Sequence, residues 1–490
     1  MRILHTSDWH LGRTFHGRVL DDAHAVFADH LVELARAEAV DAVVVSGDVY
    51  DRAIPPTDSV RLLDETLRRL SDITRVILTP GNHDSARRLG FASDLLREGL
   101  TIRARVADVD RPVIIPGPDG GDGLYVYALP YLDPDAARET LPPLLADRLG
   151  EEMADAARTA VPEGARTAPE AAGDHSEKAA GDPPGTASDA PARRLPRSHE
   201  AVVSGALRLV AADLAARRAA APARVPALVM SHAFVGGGLP SEESERDIRV
   251  GGVDSVPSGV FASLGGSPSA RECGGLDYVA LGHLHRPQEI RSASGAGEAG
   301  RPNGPGKAGG TGGPEAGESD GPGESGPPQR DSRPGPRLVY SGSPLALSFS
   351  EAPFPKSSVL VALGSDGVAS LERIPAPVPH RIETVTGTMD ELLSPAWDHA
   401  AGAWVRAVVR GPMPLGATSR LRERFGQVLA IVREEDEEAP RERIVVTRAA
   451  DPLEVSVQFL AEVAEREPSP AERAVLARAY EAVLASRGGE

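Results

Sequence analysis

Residues 1–12 read MRILHTSDWHLG, and this opening stretch decides the class of fold. Residues 3–6, opened by Ile3 and Leu4, form a short run of the kind that makes a buried strand. Asp8 and His10, whose side chains can bind a metal ion, follow directly. Because sites in an open α/β sheet form beyond the carboxyl ends of its strands, the stretch predicts a first strand that delivers both side chains to one site.

Further apolar runs repeat this pattern and predict buried strands at residues 42–45, 76–79, 227–230 and 278–281. Helical periodicity occurs over residues 25–38, between the first and second predicted strands, and over residues 58–70, between the second and third. Strands that alternate with helices are typical of an α/β fold with a largely buried sheet. Polar side chains again follow the strands, and they are Asp48, Asp51, Asn82, His83, Asp84, His232, His283 and His285.

These strand-end residues supply carboxylate, carboxamide and imidazole groups, which together suit manganese, iron or zinc. The set is too large for one ion, so two divalent ions are expected, with Asp48 bridging them. Asp8, Asp48 and a bridging hydroxide would neutralise only part of the charge of two divalent ions. The net positive charge that remains would attract a negatively charged phosphodiester. The pattern therefore predicts a two-metal centre in which hydroxide attacks a phosphoester without a covalent intermediate.

Composition excludes several other classes of protein. The formal net charge of −18 disfavours a protein that holds nucleic acid by a basic coat, although a nuclease with a local metal centre remains compatible. The single cysteine, Cys273, excludes an intrachain disulfide and thiolate zinc sites. The polar opening and the lack of a long apolar run predict a soluble, cytoplasmic protein without a signal peptide or membrane span.

Composition also divides the chain. Residues 162–198 and 291–336 are poor in large apolar side chains and are expected to be disordered insertions. After residue 377 the pattern predicts strands at 403–409 and 428–432 around a helix at 419–427, and two helix-start signals begin at Asp451 and Ser469. The expected units are a catalytic domain at 1–376, a small α+β capping domain at 377–450 and a helical docking segment at 451–490.

The motifs Asp-x-His, Gly-Asp-x-x-Asp, Gly-Asn-His-Asp and Gly-His-x-His, in this order, resemble those of the calcineurin-like metallophosphoesterase superfamily. The opening stretch and residues 340–344, which read YSGSP, resemble the bacterial nuclease subunits of this superfamily. The resemblance covers the chain outside the two insertions. It implies an α/β fold of two packed β-sheets flanked by helices, with a small capping domain and C-terminal helices.

The resemblance also implies roles for individual residues. Asp8, His10 and His285 are expected to hold one ion, and Asn82, His232 and His283 the other, with Asp48 shared and manganese as the metal. His83 is implied to contact the scissile phosphate or to assist the leaving group, oriented by Asp84. Asp51 is expected to orient a neighbouring ligand. Arg13 and His16 could contact a DNA backbone or simply face solvent, and His5 is either packed in its strand or in contact with substrate.

The activity implied by the resemblance is exonuclease cleavage of double-stranded DNA and endonuclease cleavage of single-stranded or hairpin DNA. The protein is expected to associate with the nucleoid. An ATPase subunit is expected to dock on the terminal helices. A phosphatase is disfavoured, because a purple acid phosphatase places Tyr three residues after the bridging Asp and this chain has Asp51 there. A scaffold that only binds DNA ends is opposed by the intact ligand set.

A homodimer is also expected, through the helices that follow the second and third motifs. Their apolar side chains could form this interface or could simply pack in the core. They are Val60, Leu63, Leu67, Leu70, Leu89, Phe91, Leu95 and Leu96.

Overall fold

The computed structural model describes residues 1–159, 194–241, 255–290 and 335–434, together with 457, 469 and 471–476. Most of the two expected insertions and of the two terminal helices therefore lies outside the described residues. The expected end of the first insertion at residue 198 is wrong, because residues 194–198 belong to the described fold. Leu195 is buried, and the Ser198 hydroxyl accepts the backbone N–H of Ala201 at 3.2 Å and so caps a long helix.

The described strands are β1 (Arg2–Thr6), β2 (Thr14–Phe15), β3 (Arg18–Val19), β4 (Ala42–Ser46), β5 (Arg75–Thr79), β6 (Leu100–Ile102), β7 (Val113–Pro116), β8 (Asp122–Ala128), β9 (Ala227–His232), β10 (Tyr278–Gly282), β11 (Gln288–Ile290), β12 (Arg337–Tyr340), β13 (Ser357–Gly364), β14 (Gly367–Pro375), β15 (Ile382–Gly387), β16 (Trp404–Val409) and β17 (Gln427–Arg433). The described α-helices are α1 (Asp21–Ala37), α2 (Thr57–Ser71), α3 (Ala86–Leu89), α4 (Pro134–Leu149), α5 (Glu151–Thr159), α6 (His199–Ala220), α7 (Ser258–Ala262), α8 (Ser269–Glu272), α9 (Met389–Leu392) and α10 (Ala417–Phe425). Among the described residues, none of these helices is long and apolar enough to span a membrane.

Two sheets of six described strands each form the body of the fold. The first sheet has the order β14-β13-β1-β4-β5-β6, and the second has the order β11-β12-β10-β9-β8-β7. β1, β4, β5 and β6 run parallel, and so do β8, β9, β10 and β12. Their carboxyl ends therefore collect at one edge of each sheet, as the sequence predicts.

The two sheets pack face to face through aliphatic side chains. Ile3, Val44 and Ile77 of the first sheet contact the same buried layer as Leu228 and Ala280 of the second. Helices cover the outer faces: α1 and α2 lie on the first sheet, and α4 and α6 lie on the second. This arrangement confirms the predicted α/β fold of two packed sheets flanked by helices.

A smaller three-stranded parallel sheet, β15-β16-β17, forms the described part of the expected capping domain. Its own core includes Val405 and Ala407 of β16, packed against Leu421 and Phe425 of α10. The helix ends at Phe425, two residues earlier than the pattern predicts, and the following Gly426 adopts a φ of 75° that favours glycine. The expected domain boundaries at 376 and 450 stay a prediction.

The helices expected to form a dimer interface divide into buried and exposed residues. Leu63, Leu67 and Leu70 of α2 pack in the core under the first sheet, as does Leu89. Of the residues expected at the interface, the exposed ones are Val60, Phe91, Leu95 and Leu96. The expectation that Leu63 and Leu67 form the interface is therefore wrong, because an amphipathic stripe on α2 is already covered by its own sheet.

Candidate metal centre

Five strand ends converge on one buried cluster of polar side chains. β1 leads to Asp8 and His10, β4 to Asp48, β5 to Asn82 and His83, β9 ends at His232, and β10 leads to His283 and His285. Asp8, Asp48 and the five histidines are buried, and Asn82 is half-buried. All of the residues expected to hold metal therefore lie together.

Possible ligand atoms fall into groups whose members lie within 4.8 Å of one another. One group is Asp8, His10 and His285, which is the set expected for the first ion. Within it, the Nε2 atoms of His10 and His285 lie 3.1 Å apart. Two imidazole nitrogens directed at each other beside a carboxylate suit a cation between them, so this donor set fits a divalent metal.

The residues expected to hold the second ion also lie in contact. The Oδ1 atom of Asn82 lies 2.8 Å from His232 Nε2 and 3.3 Å from His283 Nδ1. Asp48 Oδ2 lies 3.4 Å from His232 Nε2 and 3.6 Å from His10 Nε2. Asp48 thus stands between the two groups, in the position that a bridging carboxylate needs.

The backbone is strained where it presents these side chains. Asp8, His10, Asp48 and His283 have φ values of 54°, 48°, 46° and 105°. Positive φ is uncommon for residues other than glycine, and its concentration here is typical of a functional site. These four positions follow the ends of β1, β4 and β10, where the backbone turns beside the cluster.

Glycines allow the strand ends to approach one another. A Cβ atom on Gly47, whose φ is +83°, would overlap the ring of His232, and one on Gly81 would overlap the Asp48 carboxylate. A Cβ atom on Gly282 would overlap the carbonyl oxygen of Ser46. The main requirement at these three positions is therefore absence of bulk, and Gly47 also needs its left-handed backbone.

Charge in the cluster is distributed unevenly. Burial raises the pKa of the Asp8 carboxyl above its ordinary value. Burial is the largest influence on Asp48 and acts in the same direction, but the combined effect of His232, His10 and His83 holds the pKa of Asp48 well below its usual range. Burial lowers the pKa of His232, but Asp48, Asp8 and the carbonyl of Ser46 together raise it to about 9. A proton on His232 thus supplies positive charge that a bound cation would replace, which also fits a metal centre.

The acidic neighbours of the cluster hold its loops in place. Asp51 Oδ1 accepts a hydrogen bond from Arg13 at 2.8 Å and lies 3.6 Å from His10 Nδ1, which supports its expected role in orienting a ligand. Asp84 accepts the backbone N–H groups of Val49, Tyr50 and Gly81 at 2.9–3.0 Å.

His83 and Asp84 both contact the loop that follows β4. Asp84 fixes the main chain of two loops, whereas His83 Nδ1 lies 2.7 Å from the carbonyl oxygen of Asp51. The backbone N–H of His83 also donates to Asp48 Oδ1 at 2.8 Å. Asp51 and Asp48 therefore contact His83 directly, and the expected orientation of His83 by Asp84 stays a prediction.

Sequence reasoning missed one buried carboxylate. Glu351 Oε1 lies 2.9 Å from Nδ1 of His285, and its Oε2 accepts from the ammonium group of Lys356 at 2.5 Å. A signal was present in the composition: Lys356 is one of only three lysines, and the other two, Lys178 and Lys307, fall in the expected insertions. A lysine kept in the folded part of an arginine-rich chain points to a specific contact.

The remaining candidates lie at the margin of the cluster. His5 is buried, and its Nδ1 lies 3.0 Å from the hydroxyl oxygen of Tyr278, which favours the packing role. Arg13 is held by Asp51, and His16 is exposed with its ring 5.1 Å from that of Phe349. Contact of Arg13 and His16 with DNA stays a prediction.

The fold and the strand-end cluster define a class, the metallophosphoesterases. Residues 1–135 match the family described as calcineurin-like phosphoesterase, which uses divalent metals. The chain is 30% identical over 430 residues to the SbcD subunit of nuclease SbcCD from Rhodobacter capsulatus, which covers 85% of this chain and 82% of the relative. It is 30% identical over 363 residues to the Bacillus subtilis protein of the same name, covering 74% of this chain and 66% of the relative. The chain belongs to the SbcD family.

Proposed function

We propose that this chain is the nuclease subunit of a complex of the SbcCD type. It would hydrolyse phosphodiester bonds, degrading double-stranded DNA from its ends and cutting single-stranded or hairpin DNA during repair, recombination and replication. The observation that carries the proposal is the buried cluster in which carboxylate, carboxamide and imidazole groups from five strand ends meet. The SbcD relatives, which are named as nucleases, support DNA as the substrate.

Two divalent ions, with manganese expected, would supply an activated water and neutralise charge on the phosphodiester. We infer that Asp8, His10 and His285 hold one ion and that Asn82, His232 and His283 hold the other. The position of Asp48 between the two groups supports its role as the shared ligand.

His83 is proposed to act on the phosphate or on the leaving group. A carbonyl oxygen only accepts, so the contact of Nδ1 with the carbonyl of Asp51 at 2.7 Å places a hydrogen on Nδ1. Nε2 is then the atom that can hold or move a proton at the leaving oxygen. Asp51 and Asp84 contribute by fixing the loops that carry His10, Asp48 and His83.

The proposed partners are DNA, the SbcC ATPase and a second copy of the chain. A dimer surface is proposed on α2 and on the segment that follows the third motif. It is supported by the exposed side chains of Val60, Phe91, Leu95 and Leu96. Residues 451–490 are proposed to dock on SbcC through the apolar stripes of two helices. Arg13 and His16 are proposed to face the DNA backbone.

The test is to incubate the full-length chain and Mn²⁺ with linear duplex DNA, with a DNA hairpin and with a generic aryl phosphate. Cleavage of both DNA substrates that stops when the metal is chelated is expected, with little release of the aryl alcohol. Hydrolysis of the aryl phosphate alone would identify a phosphatase. DNA binding without any cleavage at saturating Mn²⁺ would identify a scaffold, and either result would overturn the proposal.

A further inference from the structure

We propose that Glu351, held by Lys356 and Ser343, is a positioning residue that fixes the ring of His285 for metal binding. All three residues lie on the segment between β12 and β13, and of them only Ser343 belongs to a sequence motif, the stretch at 340–344. The inference rests on the proposed function, because it assigns His285 to an ion.

The first step is the orientation of the imidazole ring. His285 Nδ1 lies 2.9 Å from Glu351 Oε1, while Nε2 lies on the other side, 3.1 Å from His10 Nε2. An ionised carboxylate only accepts hydrogen bonds, so Nδ1 carries the hydrogen and Nε2 presents its lone pair. The lone pair then points into the group that contains Asp8 and His10, where a ligand atom is needed.

The second step is the stabilisation of the carboxylate itself. Glu351 is fully buried, and a buried carboxylate is costly unless it is paired and hydrogen-bonded. Lys356 supplies the opposite charge, and the backbone N–H of Leu347 donates to Oε2 at 3.2 Å. The Ser343 hydroxyl also lies 3.4 Å from Oε2. These contacts keep the carboxylate charged and in place beside His285.

The third step is the geometry of the ammonium group. Lys356 Nζ donates to Glu351 Oε2, to the Ser343 hydroxyl at 2.9 Å and to the main-chain carbonyl of His285 at 3.1 Å. One ammonium group has three N–H donors, and all three have acceptors here. His285 is therefore held twice by the same unit, through Glu351 at its ring and through Lys356 at its backbone.

The experiment measures Mn²⁺ binding by titration calorimetry on the full-length chain and on Glu351→Gln. A glutamine amide can present either its oxygen or its NH₂ group to Nδ1, so the ring tautomer is no longer specified. The affinity for one of the two ions is expected to fall by about 10- to 100-fold, while the other ion binds as before. Glu289→Gln is the matched control, since Glu289 forms a solvent-accessible ion pair with Arg337 on the second sheet and should leave both affinities unchanged.

A second variant separates positioning from folding. Glu351→Gln leaves Lys356 with a buried charge and could unfold the chain, whereas Glu351→Gln combined with Lys356→Met removes both charges. The double variant is expected to keep the thermal transition of a folded chain and still to bind one ion more weakly. Wild-type affinity at both sites in a folded variant, while the parent chain cleaves DNA, would overturn this inference alone. A parent chain that binds no ion would overturn the proposed function and the inference with it.

Discussion

The two large sheets contribute different chemistry to the cluster. The loops of the first sheet carry both expected carboxylate ligands, Asp8 and Asp48, whereas the second sheet contributes only imidazoles, from His232, His283 and His285. One sheet therefore provides the negative charge that attracts a cation, and the other completes its coordination. The centre is therefore a property of the interface between the sheets, and it is incomplete in either sheet alone.

Polar contacts join the two halves directly. His232 Nδ1 lies 3.0 Å from the carbonyl oxygen of Ser46, and the backbone N–H of His283 donates to Asp8 Oδ1 at 2.9 Å. A substitution in one sheet at this interface should therefore also alter the positions of the ligand residues on the other sheet.

The largest effect is expected from Asp48→Asn, which removes the carboxylate that stands between the two groups. Cleavage of duplex DNA should fall by more than about 10³-fold, because one residue serves both ions. The rate with Mn²⁺ and the number of ions bound are the measurements. Asp366→Asn, in the exposed turn between β13 and β14, is the control and should match the parent chain. Substantial activity in Asp48→Asn would show that the two halves do not share this ligand.

His83→Gln tests a residue of the first half that is proposed to act without holding an ion. The cleavage rate should fall by about 10²–10⁴-fold, as for loss of acid–base assistance, while the ion content stays at the parent level. Rate and metal content are measured on the same preparation. A variant that loses its ions would move His83 into the ligand set.

Gly282→Ala tests how closely the two sheets must approach. The new methyl group would overlap the carbonyl oxygen of Ser46 on the opposite sheet, so the free energy of unfolding should fall by about 2–3 kcal/mol. Gly364→Ala is the control, since a Cβ atom there meets nothing within 4 Å. Chemical denaturation measures both variants. Equal stability of the two would mean that the sheets can separate without cost.

The pH dependence of stability tests the buried contact between His5 of the first sheet and Tyr278 of the second. Burial lowers the pKa of His5 from 6.5 to about 3. The unfolded chain therefore takes up a proton below pH 6.5 that the folded chain does not, and stability falls as the pH falls through this window. Between pH 7 and pH 5 the metal-free chain should lose about 2 kcal/mol from this residue. Denaturation of His5→Gln over the same range should show a shallower slope, and an unchanged slope would contradict the assignment.

The smallest effect on stability is expected outside the interface between the sheets, at Phe91→Glu. Phe91 is 82% exposed and lies on the proposed dimer surface, whereas Leu63 is 4% exposed and lies in the core. Phe91→Glu should yield a folded monomer, while Leu63→Glu should unfold. Light scattering and circular dichroism distinguish the two results. A dimeric Phe91→Glu protein would place the dimer contact elsewhere.

The strand ends could be predicted from the sequence because each motif is local. A buried run followed by Asp8 or by His283 carries both the element and the chemistry within a few residues. Contacts between distant segments were beyond such reasoning. Glu351 reaches His285 across 66 positions, and the hydrogen-bond partners of Asp84 and His83 depend on how the loops fold together.

The same limit explains the error at α2. The spacing of Leu63 and Leu67 shows that one face of the helix is apolar, but not whether its own sheet or a second copy covers that face. The structure shows that the first sheet of the same chain covers this face of the helix.

The pairing of β1 has a consequence for synthesis of the chain. β1 lies between β4 and β13 in the first sheet, and its register joins Leu4 to Leu360. At roughly 5–20 residues per second, a ribosome needs tens of seconds to pass from one strand to the other. Throughout that interval one side of β1 lacks its neighbour, although Asp8, Asp48 and Asn82 have already been made. The nascent protein therefore carries these three residues long before β13 is made, so the first sheet can be completed only late in synthesis.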